Sequence, residues 1–215
     1  MLKVKTFTTG PLFNNSYLVF DEACGECAII DAPIGSEIIA DSISALKLSP
    51  KYLIATHCHF DHIFNAHFFR NLYKIPFIYH KLDELFVVRF KESAEAFGFT
   101  PKHSPPLADA YFSEGDEFNL GNEKLKIVET PGHSPGSISI LTTAGVFVGD
   151  VLFKGGIGRY DLAGANASEL YYSLVNKLFT LPEETRVFPG HGEETQIGIE
   201  KRTNVFIDML KSELQ

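Results

Sequence analysis

Four potential metal ligands lie close together in the first third of the chain. An apolar run at residues 52–55 predicts a buried strand, and the segment after it contains His57, His59, Asp61 and His62. Because His57 and His59 are two residues apart, both imidazoles point the same way in an extended chain and can reach one metal ion. Asp61 and His62 lie past a bend and can face a second ion. Imidazole and carboxylate together suit zinc, iron, manganese or cobalt.

Three further potential ligands each follow a predicted strand. His133 lies in the turn sequence TPGHSPG, Asp150 ends the apolar sequence VFVGD, and His191 lies in the turn sequence FPGHG. In an open α/β sheet, catalytic groups gather at the carboxyl ends of strands, where side chains can converge over a cleft. The sequence therefore predicts a metal-binding cleft assembled from several strand ends.

The other histidines and the cysteines have a simpler interpretation. An isolated histidine is more often a surface or core residue than a ligand, and we interpret His67, His80 and His103 in this way. Cys58 alternates with His57 and His59, so it is expected to point away from them and pack, and Phe60 is expected in the core or the cleft wall.

Cys24 and Cys27 form a C-x-x-C motif. It could be a redox pair or half of a zinc site, but a full thiolate site needs a second pair, and the chain has only three cysteines. We instead expect both residues at a turn between two strands, with Gly25 supplying the bend. All three cysteines are expected to be reduced.

The composition is that of a globular protein, and a single domain over residues 1–215 is expected. The net charge of −8 argues against a nucleic acid partner, because such binding rests on basic residues that neutralise phosphates. The N-terminal sequence lacks the apolar stretch of a signal peptide, and no run approaches the roughly 18 apolar residues of a membrane span. A cytoplasmic protein without membrane contact is therefore expected.

Strand and helix patterns alternate along the chain. Strands are predicted at 2–7, 16–20, 27–31, 52–55, 76–79, 117–120, 125–129, 137–141, 146–148 and 186–188. Helices are predicted at 35–48, 65–73, 81–97 and 168–178 and from Ile197 onward, and residues 100–109 are predicted to form a connecting loop that could instead serve as a lid. This order predicts an α/β protein with two sheets packed face to face and helices outside.

The segment that contains His57, His59, Asp61 and His62 resembles the H-x-H-x-D-H signature of the metallo-β-lactamase superfamily. His133, Asp150 and His191 fall within the remaining ligand motifs of that family in the same chain order, so the resemblance spans nearly the whole chain. It implies the four-layer αβ/βα sandwich of the family.

The resemblance also implies a role for each ligand. One ion would be held by His57, His59 and His133, a second by Asp61, His62 and His191, and Asp150 would bridge the two. We expect two divalent ions, zinc first, with iron or manganese as alternatives. A water bound to such an ion has its pKa lowered to about 7, which makes hydroxide available as the nucleophile. Asp61 and Asp150 are the candidate catalytic residues, because they could orient that hydroxide or move its proton.

Two segments narrow the resemblance further. Residues 152–162 and 189–198 are similar to those of small bacterial glyoxalase II-like enzymes, which implies a thioester hydrolase with S-D-lactoylglutathione as the family's characteristic substrate. The 24 residues after His191 are too few for the C-terminal helical domain that contacts glutathione in longer glyoxalase II enzymes. Arg159, Lys154 and Tyr160 are the candidate substrate residues, and Arg159 could hold a carboxylate bidentately. The alternative interpretation is that Arg159 and Lys154 are solvated cations of a surface loop with no role in binding.

Other functions remain as alternatives. Residues 56–62 and 158–161 also resemble iron-dependent persulfide dioxygenases, in which His57, His133 and Asp150 would form a facial triad. Lactone or β-lactam hydrolysis is another possibility within the superfamily. A non-catalytic metal-binding protein is disfavoured, because a structural zinc site needs only four closed ligands. The expected partner is a small-molecule thioester, and a homodimer is the general expectation for a soluble enzyme.

Overall fold

A computed structural model describes residues 2–213 of the chain and contains two six-stranded sheets. The first sheet begins with an antiparallel meander, as the alternating and apolar runs predict. Three strands that run parallel to its third member follow. In spatial order the sheet consists of β1 (Leu2–Thr9), β2 (Asn14–Asp21), β3 (Glu26–Ile30), β4 (Ser49–Ile54), β5 (Phe77–His80) and β6 (Ala110–Phe112).

The second sheet has a similar plan. A four-stranded antiparallel meander is extended by a strand that pairs parallel to its last member, and a short edge strand follows. Its strands are β7 (Glu117–Leu120), β8 (Glu123–Glu129), β9 (Ile138–Thr142), β10 (Gly145–Gly149), β13 (Arg186–Pro189) and β14 (Thr195–Gln196). A separate hairpin of β11 (Leu152–Phe153) and β12 (Gly156–Ile157) follows β10.

Eight α-helices accompany the sheets within the described residues. They are α1 (Ile39–Ala45), α2 (Phe60–Ile63), α3 (Ala66–Tyr73), α4 (Glu84–Val88), α5 (Phe90–Ala96), α6 (Ala167–Asn176), α7 (Ile197–Thr203) and α8 (Val205–Glu213). Three apolar clusters separate the layers: one between α1, α3, α5 and the first sheet, one between the sheets, and one between the second sheet and α6, α7 and α8. This arrangement confirms the predicted four-layer sandwich.

Several predicted elements differ in detail from those observed. The helix expected at 35–48 is shorter, with a 3-10 turn at Ser36–Ile38 before α1. The helix expected at 81–97 is divided into α4 and α5, because the backbone of Arg89 leaves the α-helical region. The strands β6, β11, β12 and β14 were not predicted, since two or three residues carry too little periodicity to identify a strand.

The cysteines lie in three different environments. Cys24 is exposed in the predicted turn, where Gly25 has a φ of 73°. The expectation for Cys27 was wrong, because this residue is buried in β3, two residues beyond the glycine. Cys58 and Phe60 belong to the apolar cluster outside the first sheet, as predicted. Between residues 2 and 213, no helix is long and apolar enough to cross a lipid bilayer.

Candidate metal centre

The ends of four strands meet at one edge of the sandwich. The loop after β4 carries His57 and His59, and α2 directly follows with Asp61 and His62. The turns after β8, β10 and β13 carry the other three predicted ligands, His133, Asp150 and His191. All seven residues predicted from the sequence are therefore brought to the same place.

Their potential ligand atoms form three overlapping groups, each within 4.8 Å. One contains His57, His59 and His133, a second contains Asp61, His62 and His191, and a third joins His57 and His62 to Asp150. The carboxylate oxygen Oδ2 of Asp150 lies 3.7 Å from His133 Nε2 and 3.5 Å from His191 Nε2. Asp150 thus lies between the two outer groups, the position from which a carboxylate could contact two cations.

Hydrogen bonds fix which ring nitrogen faces the centre in three of the histidines. His62 Nδ1 lies 2.8 Å from Asp31 Oδ2, His133 Nδ1 lies 2.9 Å from the Arg159 carbonyl, and His191 Nδ1 lies 3.0 Å from the Leu12 carbonyl. Carboxylates and carbonyls can only accept, so Nδ1 is the donor in each ring. Nε2 is left facing the centre with a lone pair when the ring is neutral, as a metal ligand requires.

His57 is oriented through a relay of two residues. The Thr56 hydroxyl donates to Asp31 Oδ2 at 2.8 Å, and the Thr56 amide donates to Asp31 Oδ1 at 2.7 Å. The hydroxyl oxygen is therefore free to accept from His57 Nδ1, which lies 3.2 Å away. Asp31 was not predicted as a site residue, yet it orients His57 through Thr56 and His62 directly.

Three polar atoms in the cluster are buried without a hydrogen-bond partner among the described residues: His57 Nε2, His62 Nε2 and Asp150 Oδ1. A buried polar atom without a partner is costly, so native structures rarely retain one without a functional reason. In addition, His59 Nδ1 and His133 Nε2 approach each other to 2.9 Å. Inward-facing lone pairs and carboxylate oxygens are the donor set of a divalent metal, and the residues present fit such an ion.

The electrostatics divide the histidines into two kinds. Burial and the neighbouring histidines hold the pKa of His57 well below its usual range, and burial lowers the pKa of His59 to about 4. Burial also acts to lower the pKa of His62, but the carboxylates of Asp150, Asp61 and Asp31 outweigh it and raise that pKa well above the usual value. His57 and His59 are therefore neutral in the metal-free protein, whereas His62 holds a proton.

Asn14 is a further site residue that was not predicted. Its amide Nδ2 donates to Asp61 Oδ2 at 2.8 Å and lies 3.2 Å from His191 Nε2. An isolated β-bridge also joins the backbone of Asn14 to His191. The start of β2 thereby fixes one carboxylate and one imidazole of the same group.

Asp83 ties two of the ligand-bearing loops together. Its carboxylate is fully buried and accepts from the Cys58 amide at 2.8 Å, the Ser134 hydroxyl at 2.8 Å and the Gly136 amide at 2.7 Å. Cys58 lies between two potential ligands, and Ser134 is adjacent to a third. Asp83 therefore sets the distance between the loop after β4 and the loop after β8.

The centre forms the floor of an open cleft of about 450 Å³. Its walls are largely apolar and include Leu12, Phe60, Phe86, Phe97, Phe153 and Ile157. Gly190 packs so closely under the floor that an added Cβ would overlap the Asp150 carboxylate.

The three candidate substrate residues lie in different surroundings. Arg159 lines the cleft, and its guanidinium donates two hydrogen bonds of 2.9 Å to Asp161. Lys154 is exposed and pairs with Glu193. Tyr160 packs against the apolar cluster that lies between the second sheet and its helices.

The remaining histidines lie outside the cluster. His67 and His103 stack on each other with ring centroids 4.5 Å apart, and His80 lies 3.1 Å from a Glu129 oxygen. None of the three joins a potential metal-binding group among the described residues.

Comparisons with known proteins agree with this geometry. The sequence profile of the metallo-β-lactamase superfamily matches residues 9–191. Hydroxyacylglutathione hydrolase GloC of Haemophilus influenzae is 33% identical over 198 residues, which are 90% of this chain and 92% of GloC.

Two solved structures are similar over almost their whole length. The BLEG-1 B3 metallo-β-lactamase is 33% identical, with a TM-score of 0.87, and the match covers 96% of this chain and 99% of that one. TTHA1623, solved in a di-iron-bound form, is 36% identical, with a TM-score of 0.86, over 94% of this chain and 100% of that one. On the profile match and these similarities, the chain belongs to the metallo-β-lactamase superfamily.

Proposed function

We propose that this protein is a metal-dependent hydrolase that cleaves thioesters. The observation that carries the proposal is the set of inward-facing His57 Nε2, His62 Nε2 and Asp150 Oδ1 atoms, buried without partners beneath an open cleft. Those atoms fit metal ions, and the cleft leaves room for a substrate above them. Similarity to a hydroxyacylglutathione hydrolase supports a thioester substrate.

The three groups of potential ligands support two divalent ions, with Asp150 between them. We propose zinc as the resident metal, because neutral imidazole and carboxylate form common zinc sites. The di-iron form of TTHA1623 makes iron the principal alternative. When bound, such ions lower the pKa of water to about 7 and polarise a carbonyl oxygen.

The chain's own residues would control the geometry of the reaction. Water adds its oxygen to the thioester carbonyl carbon, the carbon–sulfur bond breaks, and the departing thiolate takes a proton, which yields a carboxylic acid and a thiol. Asp61 would accept the proton of the water, and this role is supported by the contacts of its carboxylate with Asn14 and the flanking histidines. The apolar walls limit competing solvent around the reacting groups.

Activity and metal content test the proposal together. Protein purified without added metal is analysed for bound elements, stripped with a chelator and reloaded with zinc, iron or manganese. Hydrolysis of S-D-lactoylglutathione should be lost on stripping and restored by reloading. Failure of every metal-loaded form to cleave any thioester would contradict the proposal.

The same preparations separate the alternatives. Oxygen uptake with glutathione persulfide by the iron-loaded protein, without thioester cleavage, would identify a dioxygenase instead. Hydrolysis of lactones or β-lactams in place of thioesters would identify a lactonase or a β-lactamase instead. Binding of about two metal ions with none of these reactions would indicate a non-catalytic protein.

A further inference from the structure

Two aromatic rings lie beside histidines of the metal centre. The ring of Phe86 lies edge-on to His59 with centroids 4.9 Å apart, and the ring of Phe153 lies edge-on to His191 at 6.3 Å. His59 and His191 belong to the two outer groups of ligands. Each outer group therefore has an aromatic ring of the cleft lining next to one of its ligands.

The cleft offers little to bind charge. Among the described residues that line it, Arg159 is the sole Lys or Arg side chain, and its Nε and Nη2 already donate to Asp161. Glutathione carries two carboxylates and an ammonium group, and recognition of such a group needs free ionic partners. A single arginine that is already paired with an acid supplies fewer cationic contacts than the two carboxylates of glutathione require, so the cleft favours recognition of the acyl part of the substrate.

Phe60 and Phe97 extend the apolar surface away from the centre. Their rings lie 5.1 Å apart, and both line the cleft together with Phe86. Phe97 is 61% exposed, so its ring still has apolar surface that a ligand could cover. Phe86, which contacts a ligand of the metal centre, and the exposed Phe97 therefore line the same cleft.

On this basis we infer that the preferred substrates are thioesters whose acyl group is apolar, an aliphatic chain or an aromatic ring, lying along the wall formed by Phe86, Phe60 and Phe97. This inference rests on the proposed thioester hydrolysis and specifies which part of the thioester the cleft selects. The polar lactoyl group would be a poorer substrate, because its hydroxyl loses hydrogen bonds to water and meets no matching partner on these rings.

A series of thioesters that share glutathione as the thiol and differ only in the acyl group tests the inference. The kcat/KM values of zinc-loaded protein are measured for S-acetyl-, S-butyryl-, S-hexanoyl- and S-D-lactoylglutathione. We expect kcat/KM to rise about fourfold for each added methylene until the wall is covered. The lactoyl thioester should fall below the butyryl thioester, whose acyl group has the same number of heavy atoms when the lactoyl hydroxyl oxygen is counted.

Variants locate the preference in the cleft. Phe86→Ala should reduce the ratio of hexanoyl to acetyl kcat/KM at least fivefold, and Phe97→Ala, which alters a more exposed ring, should reduce it less. Phe206→Ala, which removes a half-exposed ring from α8 outside the cleft lining, is the matched control and should leave the ratio unchanged.

The outcomes are distinguishable. Cleavage of all four thioesters at similar kcat/KM, or a preference for the lactoyl group, would overturn the apolar-acyl assignment and leave thioester hydrolysis standing. A chain-length preference that survives in both cleft variants would also overturn the assignment to this wall. Absence of cleavage of every thioester would overturn the proposed function itself.

Discussion

The carboxylate of Asp83 accepts a hydrogen bond from the Ser134 hydroxyl at 2.8 Å, and the same oxygen accepts from the Cys58 amide. The contact joins two loops that are far apart in sequence and carry His57, His59 and His133 between them. Its strength comes from burial, because a fully buried carboxylate that receives three donors leaves them no competing water.

Replacement of Asp83 by asparagine should weaken metal binding at the group that contains His57, His59 and His133. The NH2 group of the new asparagine side chain faces at least one of the three donors and cannot accept its hydrogen bond. The loop after β4 and the loop after β8 should therefore move apart. We expect metal affinity at that group to fall about 10- to 100-fold, the usual effect of losing such a supporting contact. Competition titration with a chromogenic chelator measures it, and Asp41→Asn on the exposed face of α1 is the control. Unchanged affinity of both sites would contradict the role given to Asp83.

Removal of the Asp61 carboxylate should abolish most of the activity without unfolding the chain. Asp61→Ala leaves the amide of Asn14 without its acceptor and removes the candidate proton acceptor from the cleft floor. We expect kcat to fall by about 100- to 10,000-fold, as for the loss of a general base. Steady-state kinetics measure the effect, with far-UV circular dichroism as the check on folding. Turnover near that of the parent would show that Asp61 is not needed.

Metal binding should release protons from one part of the centre. The carboxylates raise the pKa of His62, so at pH 7 the metal-free protein holds a proton that must leave before Nε2 can bind a cation. His57 and His59, whose pKa values are lowered, are already neutral and release none. Apparent metal affinity should therefore rise with pH until the proton on His62 is lost.

Calorimetric titrations with zinc in buffers of different ionisation enthalpy count the released protons. We expect about one proton per chain at pH 7 from this source. In His62→Gln, which lacks the titrating ring, the released number should drop by about one. An equal number in both proteins would contradict the assignment.

One cysteine should react far faster than the other two in the native protein. Cys24 is exposed, whereas Cys27 is buried, and burial raises the pKa of its thiol to about 12. Cys58 is also buried, and its thiol pKa is raised well above the usual value by burial and by Asp83 and Asp31. Since the thiolate is the reactive form, a thiol reagent at pH 8 should label one site quickly and three after denaturation. Cys24→Ser should remove the fast phase, and fast labelling of two sites would contradict the prediction.

Much of the fold was predictable because the apolar residues of its strands and helices recur at regular spacing, and glycine and proline mark the turns between them. The long strands and the helices at α3 and α6 follow clear apolar patterns. His133, Asp150 and His191 follow strands that end in an acidic residue, a glycine and a proline. The short strands β6 and β14 could not be predicted from the sequence, because they are defined by pairing with other strands and not by a pattern of their own.

The supporting residues of the centre were harder to predict than the ligands. Asp31 ends an apolar strand in the same manner as Asp150, so that pattern was a usable signal for a buried acid near the site. Asp83 carries no comparable signal, because it lies in a 3-10 turn after β5 among charged residues. Asn14 is recognised only when β2 is seen beside the turn that holds His191.

The contact between Asn14 and His191 joins residues separated by 177 positions, and the Asn15 amide also bonds to the Gly190 carbonyl at 2.7 Å. A ribosome delivers the chain from its N-terminus, so the first hairpin emerges long before its partner turn exists. The full set of seven ligands can form only after synthesis has passed His191. Nascent chains that have not reached His191, or chains terminated before it, therefore lack the complete centre, and full metal loading is confined to chains that extend beyond this residue.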